Sequence, residues 1–298
     1  MLKSLEELKS FIPHIKKQRL VIAAAHDENI VEAIDEANKL GIIEPILIGK
    51  QIEIIELLKK YNIDYYNYTI IDSESDELSA FKAVEMIREN KADILMKGLL
   101  DTKVLLKEVV NRETGIRRRK VLSHVTLLSY PNLDRILFAT DCAMIISPSL
   151  EEKIEIIENV LELSKKLDYT KPLIGIVSAV EKVNPKILST VDAASLKETF
   201  INREDCILDG PFAIDNLVSM ESVHHKGIKS EVAGKADILV FPNIESGNVF
   251  YKTSTFLANA TAAGIILGAS CPIVLTSRAD SSVSKLNSII LSVVYYAK

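Results

Sequence analysis

The stretch Arg19-Leu20-Val21-Ile22-Ala23-Ala24-Ala25, followed by residues 27–40, decides the fold. The first part is a short, near-continuous apolar run, which is typical of a strand buried on both faces. In the second part apolar residues recur with a helical period up to Gly41, which offers a stop. A buried strand followed directly by an amphipathic helix predicts the first half of a βαβ unit.

The same alternation continues along most of the chain. Further strand–helix pairs are predicted at 45–49 with 51–60, 68–72 with 75–90, 92–96 with a helix from about 101, and 173–180 with 193–201. A helix at 150–167 and strands at 206–209 and 236–241 complete the pattern. This order predicts an α/β fold with mostly parallel sheets and helices on both faces.

The middle of the chain differs. Runs 121–128 and 135–139 are strand-like and are joined by a turn with little room for a helix, which predicts an antiparallel hairpin. Residues 281–296 form an amphipathic pattern that predicts a last helix docking on the first domain. We therefore predict two α/β domains with a boundary near residue 140, namely 1–140 plus 281–298 and 141–280.

Composition narrows the class of protein. The 298 residues suffice for two domains, and a net charge of −5 with a pI near 5.7 argues against a nucleic-acid partner. The acidic amphipathic N-terminus is unlike a signal peptide, and no apolar run is long enough to span a membrane, so we expect a cytoplasmic protein without a membrane partner. Cys142, Cys206 and Cys271 lack disulfide or metal spacing and are predicted to be core residues.

A polar cluster follows the apolar run 272–275. Thr276-Ser277-Arg278-Ala279-Asp280-Ser281 places a hydroxyl, a guanidinium and a carboxylate at the carboxyl end of a predicted strand. Ligands bind at that edge of open α/β sheets, and an arginine fork suits a tetrahedral oxyanion. The cluster therefore predicts a phosphate-type site.

Other polar segments also lie at predicted strand ends, and the first two of them have a structural alternative. Met96-Lys97-Gly98-Leu99-Leu100-Asp101-Thr102 sets an ammonium beside backbone N–H groups, or is an ordinary turn with Asp101 or Thr102 as helix N-cap. Asp141 is a site carboxylate or a turn cap. Two further segments that we expect at the lip of the cleft are Asp209 to Asp215, and Glu245 to Lys252 with a helix from about Asn248.

Histidines and a basic run are weighed in the same way. Ser123 and His124 adjoin in a strand and so face opposite ways. A hydrogen-bonded packing role is favoured for His124, with a neutral donor lining the cleft as the alternative. His224 and His225 lack metal-ligand spacing and are predicted in a solvated loop. The run 117–120 is predicted to be a solvated face, with attraction of cofactor phosphates as the alternative.

Several common motifs are absent. The chain has no G-x-G-x-x-G, no G-x-x-x-x-G-K-[ST], no G-x-S-x-G and no H-E-x-x-H. Dinucleotide-binding, P-loop, hydrolase-elbow and zincin classes therefore lose their usual support.

The ordered set of segments is more specific than any one of them. From about residue 90 onward the chain carries MKGLLDT (96–102), LSHVTLL (122–128), ATDCAMIISP (139–148), EKVNPKILSTVDAASL (181–196), LDGPFAIDN (208–216), HHKGIKSEVAGKADILVFPNIESGNVFYK (224–252) and PIVLTSRADS (272–281). This series resembles the phosphate acetyltransferase and phosphate butyryltransferase family, and most closely its butyryltransferase branch.

The resemblance implies a reaction and an architecture. The reaction is reversible transfer of a short-chain acyl group, expected to be butyryl, between coenzyme A and phosphate: butanoyl-CoA + phosphate = butanoyl phosphate + CoA. It implies no metal and no tightly bound cofactor, with CoA and acyl-CoA as substrates. It also implies a two-domain fold like that of isocitrate and isopropylmalate dehydrogenases, an active site in the interdomain cleft, and a homodimer or higher homo-oligomer.

The resemblance also assigns catalytic residues. Arg278 would hold the phosphoryl oxygens, and Ser277 would hydrogen-bond near the CoA sulfur or the reacting carbonyl. Acetyltransferases carry an Asp where this chain has Ser284, so Asp280, the nearest carboxylate, is the expected base. In the wall around Asp141, Ile145 stands where many relatives have Asn.

Fixed donors would stabilise the charge of the transition state. We expect these donors to be Arg278, Lys97 and the backbone N–H groups near Gly247. The full set of predicted substrate-binding residues is Lys97, Gly98, Thr102, Ser123, His124, Asp141, Asp209, Asp215, Gly247, Asn248, Tyr251 and Lys252.

Two alternatives remain open. Acetyl-CoA is the nearest, because an acyl chain differs by methylenes worth about 0.8 kcal/mol each when buried. The other is a non-catalytic protein that binds CoA or acyl phosphate, which the missing Asp makes conceivable. A decarboxylating dehydrogenase of the same fold is disfavoured, since no carboxylate cluster for its metal is seen in the sequence.

Overall fold

The computed structural model describes residues 2–276 and 280–298. Within them the strands are β1 (Gln18–Ala23), β2 (Ile43–Gly49), β3 (Thr69–Asp72), β4 (Ile94–Lys97), β5 (Ser123–Ser129), β6 (Leu137–Thr140), β7 (Leu173–Val177), β8 (Ile207–Phe212), β9 (Ile238–Val240), β10 (Thr261–Leu267) and β11 (Ile273–Val274). The α-helices are α1 (Glu28–Lys39), α2 (Gln51–Lys60), α3 (Asp76–Arg88), α4 (Thr102–Val109), α5 (Leu150–Lys166), α6 (Leu188–Phe200), α7 (Ile214–Val218), α8 (Met220–Lys226), α9 (Ile244–Phe256) and α10 (Ser282–Ala297). Short 3-10 helices cover Leu5–His14 and Tyr65–Asn67.

The chain forms two compact units, here named by their place in the sequence. The terminal unit comprises Glu6–Leu122 and Ala262–Lys298, and the middle unit comprises Met1–Leu5 and Ser123–Thr261. These divisions lie before the predicted ones near residues 140 and 280. The reason is strand pairing: β6 of the hairpin joins β9, whereas β11 joins β4 and β10 joins β11, so each flanking segment changes unit.

In the terminal unit the strand order is β3-β2-β1-β4-β11-β10. β1 is parallel to both β2 and β4, β2 is parallel to β3, and β11 is parallel to β4, whereas β10 is antiparallel to β11. All four residues of β4 are buried, as a near-continuous apolar run predicts.

In the middle unit the order is β5-β6-β9-β7-β8. β5 and β6 form the predicted antiparallel hairpin. β6, β9, β7 and β8 are mutually parallel neighbours, so their carboxyl ends meet at one edge. The prediction of a mostly parallel α/β fold is confirmed.

Helix starts follow local capping. Ser149 accepts a hydrogen bond from the N–H of Glu152, and the Glu152 carboxylate accepts one from the N–H of Ser149, so α5 begins where predicted. The starts predicted for α6, residue 193, and for α9, about residue 248, are too late. Asn243 caps α9 by accepting from the N–H of Ser246 at 3.0 Å.

The loop predicted around His224 and His225 is wrong, because both lie in α8, although both are exposed as expected. Ser219 caps the start of this helix, and Gly227, with a φ of 61°, ends it in a left-handed conformation. The prediction for the cysteines is confirmed, since all three are free and buried. Within the described ranges, no helix is long and apolar enough to cross a membrane.

Candidate functional site

The carboxylate of Asp141 lies directly after β6, at the edge where the parallel strands of the middle unit end. It accepts hydrogen bonds from the N–H groups of Ala143 at 2.8 Å, Met144 at 2.9 Å and His124 at 3.3 Å. The residue is 2% exposed, and burial raises its pKa to about 6, although the backbone donors oppose that rise. Asp141 therefore caps a turn, which is one of the two roles predicted for it. Its pKa of about 6 lies close to neutral pH.

His124 lies beside it in β5. Its side chain is 5% exposed, and burial lowers the pKa of the imidazole to about 4, so the ring is neutral at pH 7. Its Nδ1 has no hydrogen-bond partner in the part of the chain that the structure describes. The ring meets the ring of Tyr251 edge-on, with centroids 6.5 Å apart. The imidazole therefore packs without the predicted hydrogen bond at Nδ1. This neutral nitrogen is left available to a ligand.

The first turns of α9 complete this cluster. A Cβ on Gly247 would lie 2.4 Å from the carbonyl oxygen of Asp141, so only glycine allows the helix this close. The amide of Asn248 donates to the carbonyl of Cys142 at 3.3 Å. The N–H of Gly247 itself donates to the carbonyl of Asn243 at 3.2 Å within the helix.

The structure thus brings together five of the predicted site residues of the middle unit: His124, Asp141, Gly247, Asn248 and Tyr251. The neighbouring Lys252 places its ammonium over the ring of Tyr251, 5.4 Å from the centroid. Ser123 contacts a different element, because its hydroxyl accepts from the Asn159 amide of α5 at 2.9 Å. Adjacent strand residues with different partners are what the alternation of a strand predicts.

Asp209 and Asp215 take separate partners. Asp209 pairs with Lys197 at 2.6 Å and accepts from the hydroxyl of Ser230 at 2.6 Å. Asp215 pairs with Lys226 at 3.1 Å. Both carboxylates therefore already form ion pairs with lysines. Asp209 also lines a cavity at the carboxyl ends of β7 and β8.

In the terminal unit, Lys97 ends β4 and is 7% exposed. Its ammonium donates to the carbonyls of Gly98 at 3.1 Å and Leu100 at 3.0 Å, so it holds the turn that leads into α4. A Cβ on Gly98 would lie 2.1 Å from the carbonyl of Ala24, which explains the glycine. Asp101 occupies the N-cap position and Thr102 is the first residue of α4.

Of the three predicted catalytic residues, Ser277 and Arg278 lie outside the described residues, and Asp280 lies inside them. The backbone carbonyl of Asp280 accepts a hydrogen bond from the ammonium of Lys285 at 2.5 Å. Lys285 is only 1% exposed, and burial lowers its pKa against the opposing effect of the charges of Asp27 and Asp280.

Sequence reasoning missed Lys285. A signal was present, because Lys285 shares a helical face with Ile289 and Val293, four and eight residues on, and both are buried. A lysine on an apolar helix face marks a cation that has to find partners inside the protein.

The described residues contain no group of three or more His, Cys, Asp or Glu that could hold a metal ion. The candidate site is assembled from hydrogen-bonding and cationic groups. These suit recognition of carbonyl and phosphate oxygens.

Comparison with known proteins identifies the family. A profile described as "Phosphate acetyl/butaryl transferase" matches residues 4–81 and 77–293. The chain is 41% identical over 294 residues to the phosphate butyryltransferase of Clostridium acetobutylicum, covering 98% of each protein. It is 40% identical over 284 residues to the phosphate acetyltransferase of Thermotoga maritima, covering 94% of this chain and 96% of the relative.

A solved structure agrees. The crystal structure of a branched-chain phosphotransacylase from Enterococcus faecalis matches with a TM-score of 0.84 and 31% identity, covering 94% of this chain and 99% of that one. The match of both sequence and fold extends over nearly the whole chain. The chain therefore belongs to the phosphate acetyltransferase and phosphate butyryltransferase family, as the resemblance of its ordered segments predicts.

Proposed function

We propose that this chain catalyses reversible transfer of a short-chain acyl group, with butyryl preferred, between coenzyme A and inorganic phosphate. The observation that carries the proposal is the near-full-length similarity to a phosphate butyryltransferase and a phosphate acetyltransferase. The two relatives have almost equal identity to the chain, so the similarity supports the reaction class more strongly than the choice of acyl group. The preference for butyryl rests on the motif-level resemblance.

In the direction of acyl phosphate formation, an oxygen of phosphate bonds to the thioester carbonyl carbon. The carbon–sulfur bond then breaks, and the proton that phosphate loses goes to the departing CoA sulfur. Holding two substrates in contact supplies much of the reduction of the barrier. The protein's remaining task is to bind phosphate and to stabilise the oxyanion that forms on the acyl carbonyl.

We assign these tasks to residues as part of the proposal. Arg278 holds phosphate, Ser277 binds near the sulfur or the reacting carbonyl, and Asp280 takes the thiol proton in the reverse direction. In the middle unit, His124 supports the assignment best, because its ring is neutral and its Nδ1 has no partner among the described residues. A neutral imidazole can hydrogen-bond to an acyl-CoA without adding a charge.

Other predicted binding residues fit this scheme less directly. The ammonium of Lys97 already donates to two backbone carbonyls, so we propose that it acts on substrate through the shape of its turn. Asp141 likewise shapes the turn that faces α9. The remaining predicted residues, Gly98, Thr102, Ser123, Asp209, Asp215, Gly247, Asn248, Tyr251 and Lys252, stay proposed contacts or supports.

The test follows thiol release from butyryl-CoA and from acetyl-CoA, each with and without phosphate. We expect release that depends on phosphate and a higher kcat/KM for butyryl-CoA. Release without phosphate would contradict transferase function, no release would indicate a binding protein, and a higher kcat/KM for acetyl-CoA would overturn the butyryl preference alone. Arg278→Ala is expected to abolish phosphate-dependent release while circular dichroism stays that of the native fold.

The architecture implied by the resemblance is part of the same proposal. We propose the dehydrogenase-like two-domain fold with its interdomain active site, a homodimer, a cytoplasmic location and no tightly bound cofactor. Light scattering on the purified protein tests the dimer, and a monomeric mass at micromolar concentration would refute it.

A further inference from the structure

A cavity of about 900 Å³ lies at the carboxyl ends of β7 and β8 in the middle unit. Its walls come from the segment that follows β7, from α6, from the end of β8, and from the end of α8 with the residues that follow it. This volume is within the range of pockets that hold small ligands. Of the residues that line it, only Asp209 is among the substrate contacts proposed above.

The charge of this cavity is unusual for an acidic chain. Four lysines line it, Lys182, Lys197, Lys226 and Lys229, against two carboxylates, Glu181 and Asp209. Lys197 and Lys226 are paired with acidic groups. For Lys182 and Lys229, the described residues provide no ion-pair partner, and both side chains are exposed. The cavity therefore presents positive charge that a ligand can neutralise.

Apolar groups share the same walls. Val183 is 54% exposed beside Lys182, and Phe212 and Ile228 also line the cavity. An exposed branched side chain beside cations suits a ligand that combines phosphates with a flat ring. An inorganic anion alone would leave this apolar surface unused.

The position of the cavity fits one portion of the proposed substrate. β8 lies three strands away from β6, at whose end Asp141 is found, in the order β6-β9-β7-β8. At a strand spacing of about 4.8 Å, the two strand ends are roughly 14 Å apart along the same edge. In coenzyme A a long pantetheine arm separates the thiol from the 3′-phosphorylated ADP group, so one molecule can serve both places.

We propose that this cavity binds the 3′-phospho-ADP portion of coenzyme A, with Lys182 and Lys229 neutralising its phosphates. This inference rests on the proposed function, since it deepens the description of the acyl-CoA substrate. Inorganic phosphate, the other substrate, is the alternative source of the same charge. The experiment has to separate these two.

The test compares the wild type with the double variant Lys182→Gln/Lys229→Gln. KM is measured for butyryl-CoA, for butyryl-dephospho-CoA, for butyryl-pantetheine and for phosphate. We expect KM for butyryl-CoA to rise about tenfold, which corresponds to about 1.4 kcal/mol, because two surface ion pairs with the phosphates are lost. The ratio of variant to wild-type KM should shrink as phosphates are removed from the thioester.

The matched control is Lys186→Gln, because Lys186 is an exposed lysine on the same segment that does not line the cavity. We expect its KM values to match the wild type. A double variant with the same KM ratio for butyryl-CoA and butyryl-pantetheine would overturn the inference. So would a rise confined to the KM for phosphate.

Failure of the proposed function gives a different pattern. If the wild type shows no phosphate-dependent thiol release, that function fails, and calorimetric binding of adenosine 3′,5′-bisphosphate then decides the cavity. Binding that weakens about tenfold in the double variant, but not in Lys186→Gln, supports the cavity assignment. Equal or absent binding in wild type and double variant overturns it.

Discussion

The ammonium of Lys285 donates a 2.5 Å hydrogen bond to the backbone carbonyl of Asp280. Lys285 belongs to α10, whereas Asp280 closes the segment that carries the proposed catalytic pair. A buried ammonium is costly to desolvate, and its hydrogen bond to the Asp280 carbonyl is only partly buried, so water can hydrate that carbonyl when the donor is removed. We therefore expect the lysine to serve the position of Asp280 more than the stability of the fold.

Lys285→Met is the variant that separates these effects. It removes the donor to the Asp280 carbonyl but keeps an unbranched chain of similar size. We expect kcat for phosphate-dependent thiol release to fall about tenfold, with the melting temperature within a few degrees of the wild type. Lys285→Arg, which keeps a donor and a charge, should recover part of kcat. A large loss of melting temperature with unchanged kcat in the folded fraction would show that the role is structural.

The buried pair of His124 and Asp141 predicts an unusual dependence of stability on pH. The pKa of His124 is about 4 in the folded state, below its usual value near 6.5, so stability from this group is lost as pH falls toward 4. The pKa of Asp141 is about 6, above its usual value near 3.9, so stability from this group is lost as pH rises toward 6. Between pH 4 and 6 the two effects oppose each other, each at up to about 1.4 kcal/mol per pH unit.

Urea unfolding at pH 4.5, 5.5 and 6.5 checks this balance. In the wild type, His124 and Asp141 together should contribute little to the slope of the unfolding free energy against pH, because their effects oppose each other. In His124→Gln the slope of the unfolding free energy against pH should be more negative than in the wild type, because only the effect of Asp141 remains. In Asp141→Asn this slope should be more positive than in the wild type, because only the effect of His124 remains. Identical slopes in all three proteins would show that the two groups do not titrate as their burial implies.

Strand ends were predictable from the sequence, whereas the partners of their side chains were not. The hairpin of β5 and β6 follows from two apolar runs and a tight turn, which are local features. β10 was not predicted, because its first half, Thr261-Ala262-Ala263-Gly264, lacks the large β-branched residues that mark a strand. Its pairing with β11 is instead decided by tertiary contact.

The site shows the same limit at the level of single residues. Glycine and carboxylate at strand ends identify Gly247 and Asp141 as candidates, yet their contact depends on how α9 packs on β6. The neutral state of His124 depends on burial, which a single residue in a sequence does not reveal. Lys285 is the clearest case, since its partner is a backbone carbonyl, which has no signature of its own in the sequence.

Lys97 provides a further test of a structural against a chemical role. Lys97→Met leaves two buried carbonyl contacts unmade, so we expect a loss of about 1–3 kcal/mol in the free energy of unfolding. If the lysine acts on substrate through its turn, kcat and KM should change together in the folded fraction. A rise in the KM for phosphate alone would instead indicate direct contact of the ammonium with the anion.

Gly247→Ala tests whether close packing of α9 on Asp141 matters for the reaction. The added Cβ would lie 2.4 Å from the Asp141 carbonyl oxygen, so helix or turn has to shift, at about 1–3 kcal/mol of stability. Because the shift displaces a turn that holds a proposed substrate-binding cluster, we expect kcat/KM for butyryl-CoA to fall at least tenfold at a temperature where the variant is folded. Val249→Ala, an exposed position on the same helix, is the control and should change neither quantity. If Gly247→Ala unfolds more easily but keeps full kcat/KM, the cluster around Asp141 supports the fold and does not position the substrate.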